Sequence, residues 1–252
     1  MISYKAIGRG PKVVVLLHDW LGDSTNYDAT LPYLSQDEFT WLLPDLRGYG
    51  ASRHLDAAFT LKEATTDIIA LLDSLNIKEF SVAGHSMTGL VALRLALDHP
   101  QRVQKAILAS PVLAGGLKLD DAGRGFFEKA AVDTTTCREV VGVVTSGRYT
   151  KTWLELKARK AAETSLPEAR LGYLHNMLLV SDFSSELPGL QVPLLTITGS
   201  FDADGFKDAA VREALKPVAA LTTFSDVTEA GHYPMQEAPV RYASLVQAFL
   251  NS

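Results

Sequence analysis

Short, continuously apolar runs recur along the chain: Lys12–His18 (KVVVLLH), Phe39–Pro44 (FTWLLP), Phe80–Gly84 (FSVAG), Val103–Ser110 (VQKAILAS), Pro193–Thr198 (PLLTIT) and, more weakly, Leu221–Val227 (LTTFSDV). Runs of this length, rich in β-branched residues and without polar alternation, fit strands buried on both faces. Between them the period changes. Leu61, Ala64, Ile68, Leu71, Leu72 and Leu75 mark one face of an amphipathic helix. Met87–Leu97 is apolar nearly all round, the pattern of a buried helix, and Val240–Leu250 closes the chain with another amphipathic segment. Strands alternating with helices predict an α/β fold, a mostly parallel sheet flanked by helices.

The alternation breaks once. From about residue 112 to 190 there is no strong strand, whereas Glu128–Val144, Lys151–Ala162 and Pro167–Leu179 have helical patterns. A helical insert of this size between two strands predicts a cap over one end of the sheet. No linker or repeat divides the rest, so residues 1–252 read as a single domain carrying that cap.

Composition adds limits. A net charge of -5, without a Lys/Arg cluster, gives no electrostatic reason for nucleic acid or an anionic membrane as partner. No run approaches 18 apolar residues, and Met1–Lys5 lacks the basic and apolar start of a signal peptide. Cys137 is the single cysteine, so no intramolecular disulfide forms. These features place the chain in the cytoplasm by default, with a small molecule as its partner. They set no oligomeric state.

The chemistry begins at Phe80–Gly89, FSVAGHSMTG. A strand ends, a helix begins, and Ser86 stands in the turn between them, the context a nucleophile elbow of the G-x-S-x-G type requires. Gly84 supplies the small residue on one side. Thr88 occupies the second small position, with Gly89 after it, and a threonine there should push the helix slightly off the neighbouring strand. A serine nucleophile needs a base, and histidine serves near neutral pH. His232, in Glu229-Ala-Gly-His-Tyr-Pro234, follows the last strand and precedes the last helix. Asp202, after the strand ending at Gly199, is the orienting acid, with Asp204 as the runner-up. The backbone N–H groups of Met87 and Trp20 are the expected oxyanion donors. Asp19 is expected to face solvent or pair with a cation; a carboxylate turned to the pocket would oppose an oxyanion.

His18-Asp-Trp20, Pro44-Asp-Leu-Arg-Gly-Tyr-Gly-Ala-Ser52, Gly84-His-Ser-Met-Thr-Gly89, Gly199-Ser-Phe-Asp202 and Gly231-His-Tyr-Pro234 follow one another in an order that resembles the α/β-hydrolase superfamily, and within it the small capped esterases and lactonases. The resemblance spans residues 12 to 250. It implies an α/β-hydrolase fold with an inserted helical cap, and a Ser86–His232–Asp202 triad that hydrolyses an ester or lactone through an acyl-enzyme. No metal cluster, phosphate loop or dinucleotide fingerprint is present, so no cofactor and no metal are expected. In the Pro44–Ser52 segment the resemblance makes Asp45 and Arg47 scaffold residues. Dehalogenases and epoxide hydrolases of the superfamily carry aspartate at the nucleophile, so Ser86 argues against both. Two other readings share the scaffold: a cofactor-free dioxygenase using the His232–Asp202 pair as base, and a receptor that binds a ligand with little turnover. His18, Tyr149, Trp153 and Tyr233 are the candidate pocket residues. Phe126, Phe127, Tyr173 and Met177 are further aromatic or soft residues of the cap. With few charged residues among the pocket candidates, the expected substrate is uncharged and moderately apolar.

Overall fold

The apolar runs become the strands of one seven-stranded sheet in the computed structural model, which describes residues 1–252. In chain order these are β1 (Tyr4–Gly8), β2 (Lys12–Leu17), β3 (Phe39–Pro44), β4 (Phe80–His85), β5 (Val103–Ala109), β6 (Leu194–Gly199) and β7 (Thr222–Val227). Their spatial order is β1-β3-β2-β4-β5-β6-β7, parallel throughout except for β1. β4 and β6 are buried at every residue, as helices on both faces demand. β1 has no counterpart in the hydrophobic pattern. It is an exposed edge strand, YKAIG, that pairs antiparallel with β3, and with Lys5 inside it and Gly8 at its end it gives no continuous apolar run to read.

The helices outside the insert are α1 (Leu61–Ser74), α2 (Gly89–Asp98) and, after β6, α7 (Asp208–Ala214), α8 (Pro234–Glu237) and α9 (Pro239–Asn251). Thr60 caps α1 by accepting from the Glu63 N–H, which satisfies one of the orphan donors of the first turn. α2 buries Gly89–Leu93, Leu95 and Ala96, consistent with its all-round apolar pattern.

Between β5 and β6 the chain makes helices and turns and adds no strand to the sheet: α3 (Asp121–Val132), α4 (Thr134–Val144), α5 (Lys151–Thr164) and α6 (Pro167–Tyr173). The helix expected over Glu128–Val144 is two helices. Asp133 takes extended φ/ψ and its side chain accepts from the Thr136 N–H, so it ends α3 and caps α4. The insert is tied to the body by polar contacts. The Trp20 indole donates to Arg170 O at 2.9 Å, Leu166 N donates to Gly48 O at 3.0 Å, and His232 N donates to Val144 O at 3.1 Å. Arg170 is buried and its guanidinium donates to the carbonyls of Ala131, Ala161 and Ser165, locking α3, α5 and α6 together.

Candidate active site

Four loops leave the C-terminal ends of β2, β4, β6 and β7 and meet under the insert, where ligands bind in open parallel sheets. The loop after β4 carries Ser86 at φ 53°, a left-handed conformation that costs a non-glycine residue about 1–3 kcal/mol. The surroundings hold it there. A Cβ on Gly84 would overlap the Thr88 carbonyl, and one on Gly89 would meet Pro111. Val112 N donates to Ser86 O at 2.9 Å.

Thr88 does more than replace a small residue. Its Oγ1 accepts from His85 N at 2.9 Å and donates toward the end of β2, with His18 O at 2.9 Å. The buried hydroxyl therefore links the elbow to the neighbouring strand. Gly89, one residue later, is where the helix needs its smallest side chain.

His232 Nε2 lies 2.8 Å from Ser86 Oγ, and His232 Nδ1 lies 2.9 and 3.0 Å from the two carboxylate oxygens of Asp202. Asp202 is buried, and its Oδ1 also accepts from Ala203 N at 2.7 Å. Asp204 is directed away: its side chain is 97% exposed and pairs with Lys207. Glu237 fixes the histidine loop, accepting from Gly231 N at 2.7 Å and Tyr233 N at 2.8 Å. Burial pulls the His232 imidazole down, but the Asp202 carboxylate, by charge and hydrogen bond, more than reverses this. The pKa of His232 therefore lies above the ordinary histidine value. His85, next to the serine, behaves oppositely. Burial pushes it down to about 3, so it is neutral, donating from Nε2 to His232 O at 2.7 Å and accepting at Nδ1 from the Asn26 amide at 3.0 Å.

Ser86 and His232 face a cavity of about 40 Å³ whose lining is mostly apolar, with Leu21, Val112, Phe127, Val140 and Phe206 among its walls. Asp19, Trp20 and Tyr233 line it too. The Trp20 N–H has no acceptor elsewhere in the chain, and Met87 stands in the first turn of the helix that follows the serine, where N–H groups lack intrahelical partners.

The four expected pocket residues are placed differently, and His18 and Tyr149 line neither the cavity at Ser86 nor the cleft beside it. His18 is fully buried outside this cavity; its ring nitrogens meet Asp19 O at 2.8 Å and Leu46 N at 3.1 Å, so it braces the backbone. Tyr149 stacks on Trp153, 4.5 Å between ring centroids, and donates its hydroxyl to Glu237. Trp153 lines a neighbouring cleft instead. Tyr233 alone of the four lines the cavity at Ser86.

Asp19 does not face solvent. It is 2% exposed, its Oδ2 lies 3.4 Å from the Leu21 N–H, and its Oδ1 has no partner. Burial pushes its pKa up, while Lys157 and then His85, His18 and His232 pull it down further, leaving it below the usual carboxylate range. Lys157 itself was missed in the sequence. It lies one turn from Trp153 and one from Ala161 on the same face of α5, and that position on a buried stripe was the signal.

The sequence pattern of the alpha/beta hydrolase family matches residues 14–245, nearly the whole chain. The chain belongs to that family. It is 32% identical over 260 residues to a pimeloyl-[acyl-carrier protein] methyl ester esterase of Nitrosomonas europaea, covering 98% of each chain. It is 30% identical over 259 residues to the dihydrolipoyllysine-residue acetyltransferase component of an acetoin cleaving system from Cupriavidus necator, of which it spans 66%. Among solved structures, a bromoperoxidase from Bacillus anthracis superposes with a TM-score of 0.85, covering 100% of this chain and 95% of that one, at 21% identity. At that identity the likeness speaks for the fold. No helix of this alpha/beta hydrolase is long and apolar enough to cross a membrane.

Proposed function

We propose that the protein is a serine hydrolase that cleaves a carboxylic ester or lactone through an acyl-enzyme on Ser86. One observation carries this reading: an unbroken hydrogen-bonded path from Asp202 through His232 to a strained serine hydroxyl, opening onto an apolar cavity. The pairing of nucleophile with base, and base with orienter, is the arrangement that activates a hydroxyl near neutral pH.

In the first step Ser86 Oγ attacks the carbonyl carbon while His232 Nε2 takes the hydroxyl proton. Asp202 holds the Nδ1–H and stabilises the imidazolium. The Trp20 and Met87 N–H groups receive the negative charge on the former carbonyl oxygen; one such donor is worth about 10²–10³ in kcat. Collapse of the intermediate breaks the ester C–O bond, and His232 returns the proton to the departing oxygen. Water then repeats the sequence on the acyl-enzyme and frees the acid.

The apolar walls suit an uncharged, moderately apolar part of the substrate beside the reacting carbonyl. A cavity of about 40 Å³ holds little more than the reacting atoms, against roughly 300–1,000 Å³ for a whole small-molecule site. The remainder of the substrate extends into adjoining space under the insert. The relation to a methyl ester esterase over nearly the full length of both chains supports ester chemistry. Turnover of a short p-nitrophenyl ester, abolished stoichiometrically by a serine-directed phosphonate, tests the reading. Phosphonate labelling at a residue other than Ser86, or no turnover across esters and lactones of graded size, overturns it.

A further inference from the structure

A lysine that the reaction does not use stands beside the cavity. Lys157 of α5 is 7% exposed, yet its Nζ makes neither a hydrogen bond nor an ion pair within the chain. The ammonium lies 3.9 Å from the centroid of the Tyr233 ring, and Tyr233 follows His232 and lines the cavity at Ser86. Lys157 opens into a cleft of about 250 Å³ that also holds Lys160, Trp153 and Thr25, and Leu21 forms a wall of both the cleft and the cavity. The two spaces are thus neighbours that share Leu21.

A buried cation without an acceptor is costly. The cation–π contact with Tyr233 offsets a modest part, about 2 kcal/mol when desolvated, and leaves the three N–H donors unsatisfied. None of the acidic groups around it forms an ion pair with it. Asp23 Oδ1 accepts from both the N–H and the hydroxyl of Thr25. Glu237 is taken by Gly231, Tyr233, Arg148 and Tyr149. Asp19 attracts Lys157 through space, but its Oδ1 has no hydrogen-bond partner and its Oδ2 faces the Leu21 N–H. Lys160, one turn on, adds a second positive charge to the cleft. Asp23 and Asp28 line the same cleft, and their charge suits a single negative charge on the ligand better than a dianionic phosphate.

We propose that the substrate carries a carboxylate that is received by Lys157 while its ester or lactone carbonyl lies at Ser86. This rests on the hydrolase reading above and narrows it: the part of the substrate beside the serine is apolar, and the end in the cleft is acidic. Lys157 is then a specificity-determining residue that touches the substrate away from the reacting atoms, where a charge-assisted hydrogen bond is short and strong.

The test compares methyl monoesters of linear dicarboxylic acids of graded length with methyl esters of monocarboxylic acids of the same carbon count. The wild-type protein should favour the acid-bearing ester at one chain length by at least tenfold in kcat/KM. Lys157→Met, which keeps the apolar stem, should lower that ratio at least tenfold; Lys157→Arg should retain most of it. Lys151→Met, a change at an exposed lysine of the same helix, should leave the ratio as in the wild type. A second measurement is independent of turnover: the dicarboxylate with the best chain length should raise the Tm of the wild type above the rise given by the matching monocarboxylate at equal ionic strength, and the difference should vanish in Lys157→Gln. Turnover of neutral esters with no preference for acid-bearing ones at any length would overturn this inference and leave the hydrolase reading standing. An undiminished ratio in Lys157→Met would also overturn it. Absence of turnover on every ester, with no phosphonate labelling of Ser86, would remove both.

Discussion

His232 Nε2 and Ser86 Oγ, 146 positions apart in the chain, lie 2.8 Å from one another because each follows the C-terminal end of a strand of the same parallel sheet. Neither side chain is free to choose this geometry. The serine is held at positive φ by the packing of Gly84 and Gly89, and the histidine by Asp202 on one nitrogen and by the Glu237-bound loop on its backbone. If this contact is the reacting one, Ser86→Ala loses about 10³–10⁶ in kcat, as removal of a nucleophile does, while the far-ultraviolet circular dichroism spectrum is unchanged. Retention of a substantial fraction of hydrolysis would refute the role of Ser86.

The pH dependence follows from His232. The imidazole accepts the serine proton only when neutral, and its pKa is raised by Asp202. Activity therefore rises with pH, and the midpoint of the kcat/KM profile lies above the ordinary histidine value of about 6.5. Asp202→Asn removes the charge that raises it. The midpoint should fall and kcat should drop by about 10⁴, since an amide no longer holds the productive tautomer. A profile centred below the ordinary value in the wild type would contradict this assignment.

Thr88 gives a prediction about stability. Thr88→Val keeps the shape but removes the acceptor for the buried His85 N–H and the donor toward His18 O. An unsatisfied buried group costs about 1–3 kcal/mol, and urea denaturation should show a loss of that size. Thr88→Ser, which keeps the hydroxyl, should recover most of it. Equal stability of the valine and serine variants would show that the link contributes nothing.

Much of this arrangement was legible in the sequence because parallel strands buried on both faces leave continuous apolar runs, and each strand end then announces a loop. The runs ending at Gly84, Gly199 and Val227 lead directly to Ser86, Asp202 and His232. The edge strand Tyr4–Gly8 left no such trace, since an exposed edge strand needs no continuous apolar run. Pocket residues were harder to read. Tyr149 and Trp153 are aromatic residues of the insert, as expected of a pocket, but they pack on one another. Lys157 is charged and was passed over because burial of a lysine is decided by tertiary packing, which the helical period of α5 only hints at. The Asp133 break between α3 and α4 could have been read from its capping chemistry, Asp-Thr-Thr-Thr, which favours a new helix start.

Asp19 carries the last prediction. A glycine at this place would put no charge in the cavity, whereas here a buried carboxylate with one unpartnered oxygen lines it beside Ser86 and His232. Burial pushes its pKa up, but Lys157 and the three histidines around it keep it below the usual range, so it is ionised at neutral pH. Its charge also contributes to the raised pKa of His232, after Asp202. Asp19→Asn is nearly isosteric and leaves an oxygen for the Leu21 N–H while removing the charge. The midpoint of the kcat/KM profile should move down toward the ordinary histidine value, by less than in Asp202→Asn, because Asp19 acts through space and makes no hydrogen bond to the ring. The rate at high pH, where His232 is neutral in both proteins, should hold or rise, since a negative charge near the developing oxyanion has been removed. An unchanged or upward-shifted midpoint would show that the Asp19 charge does not reach the catalytic histidine.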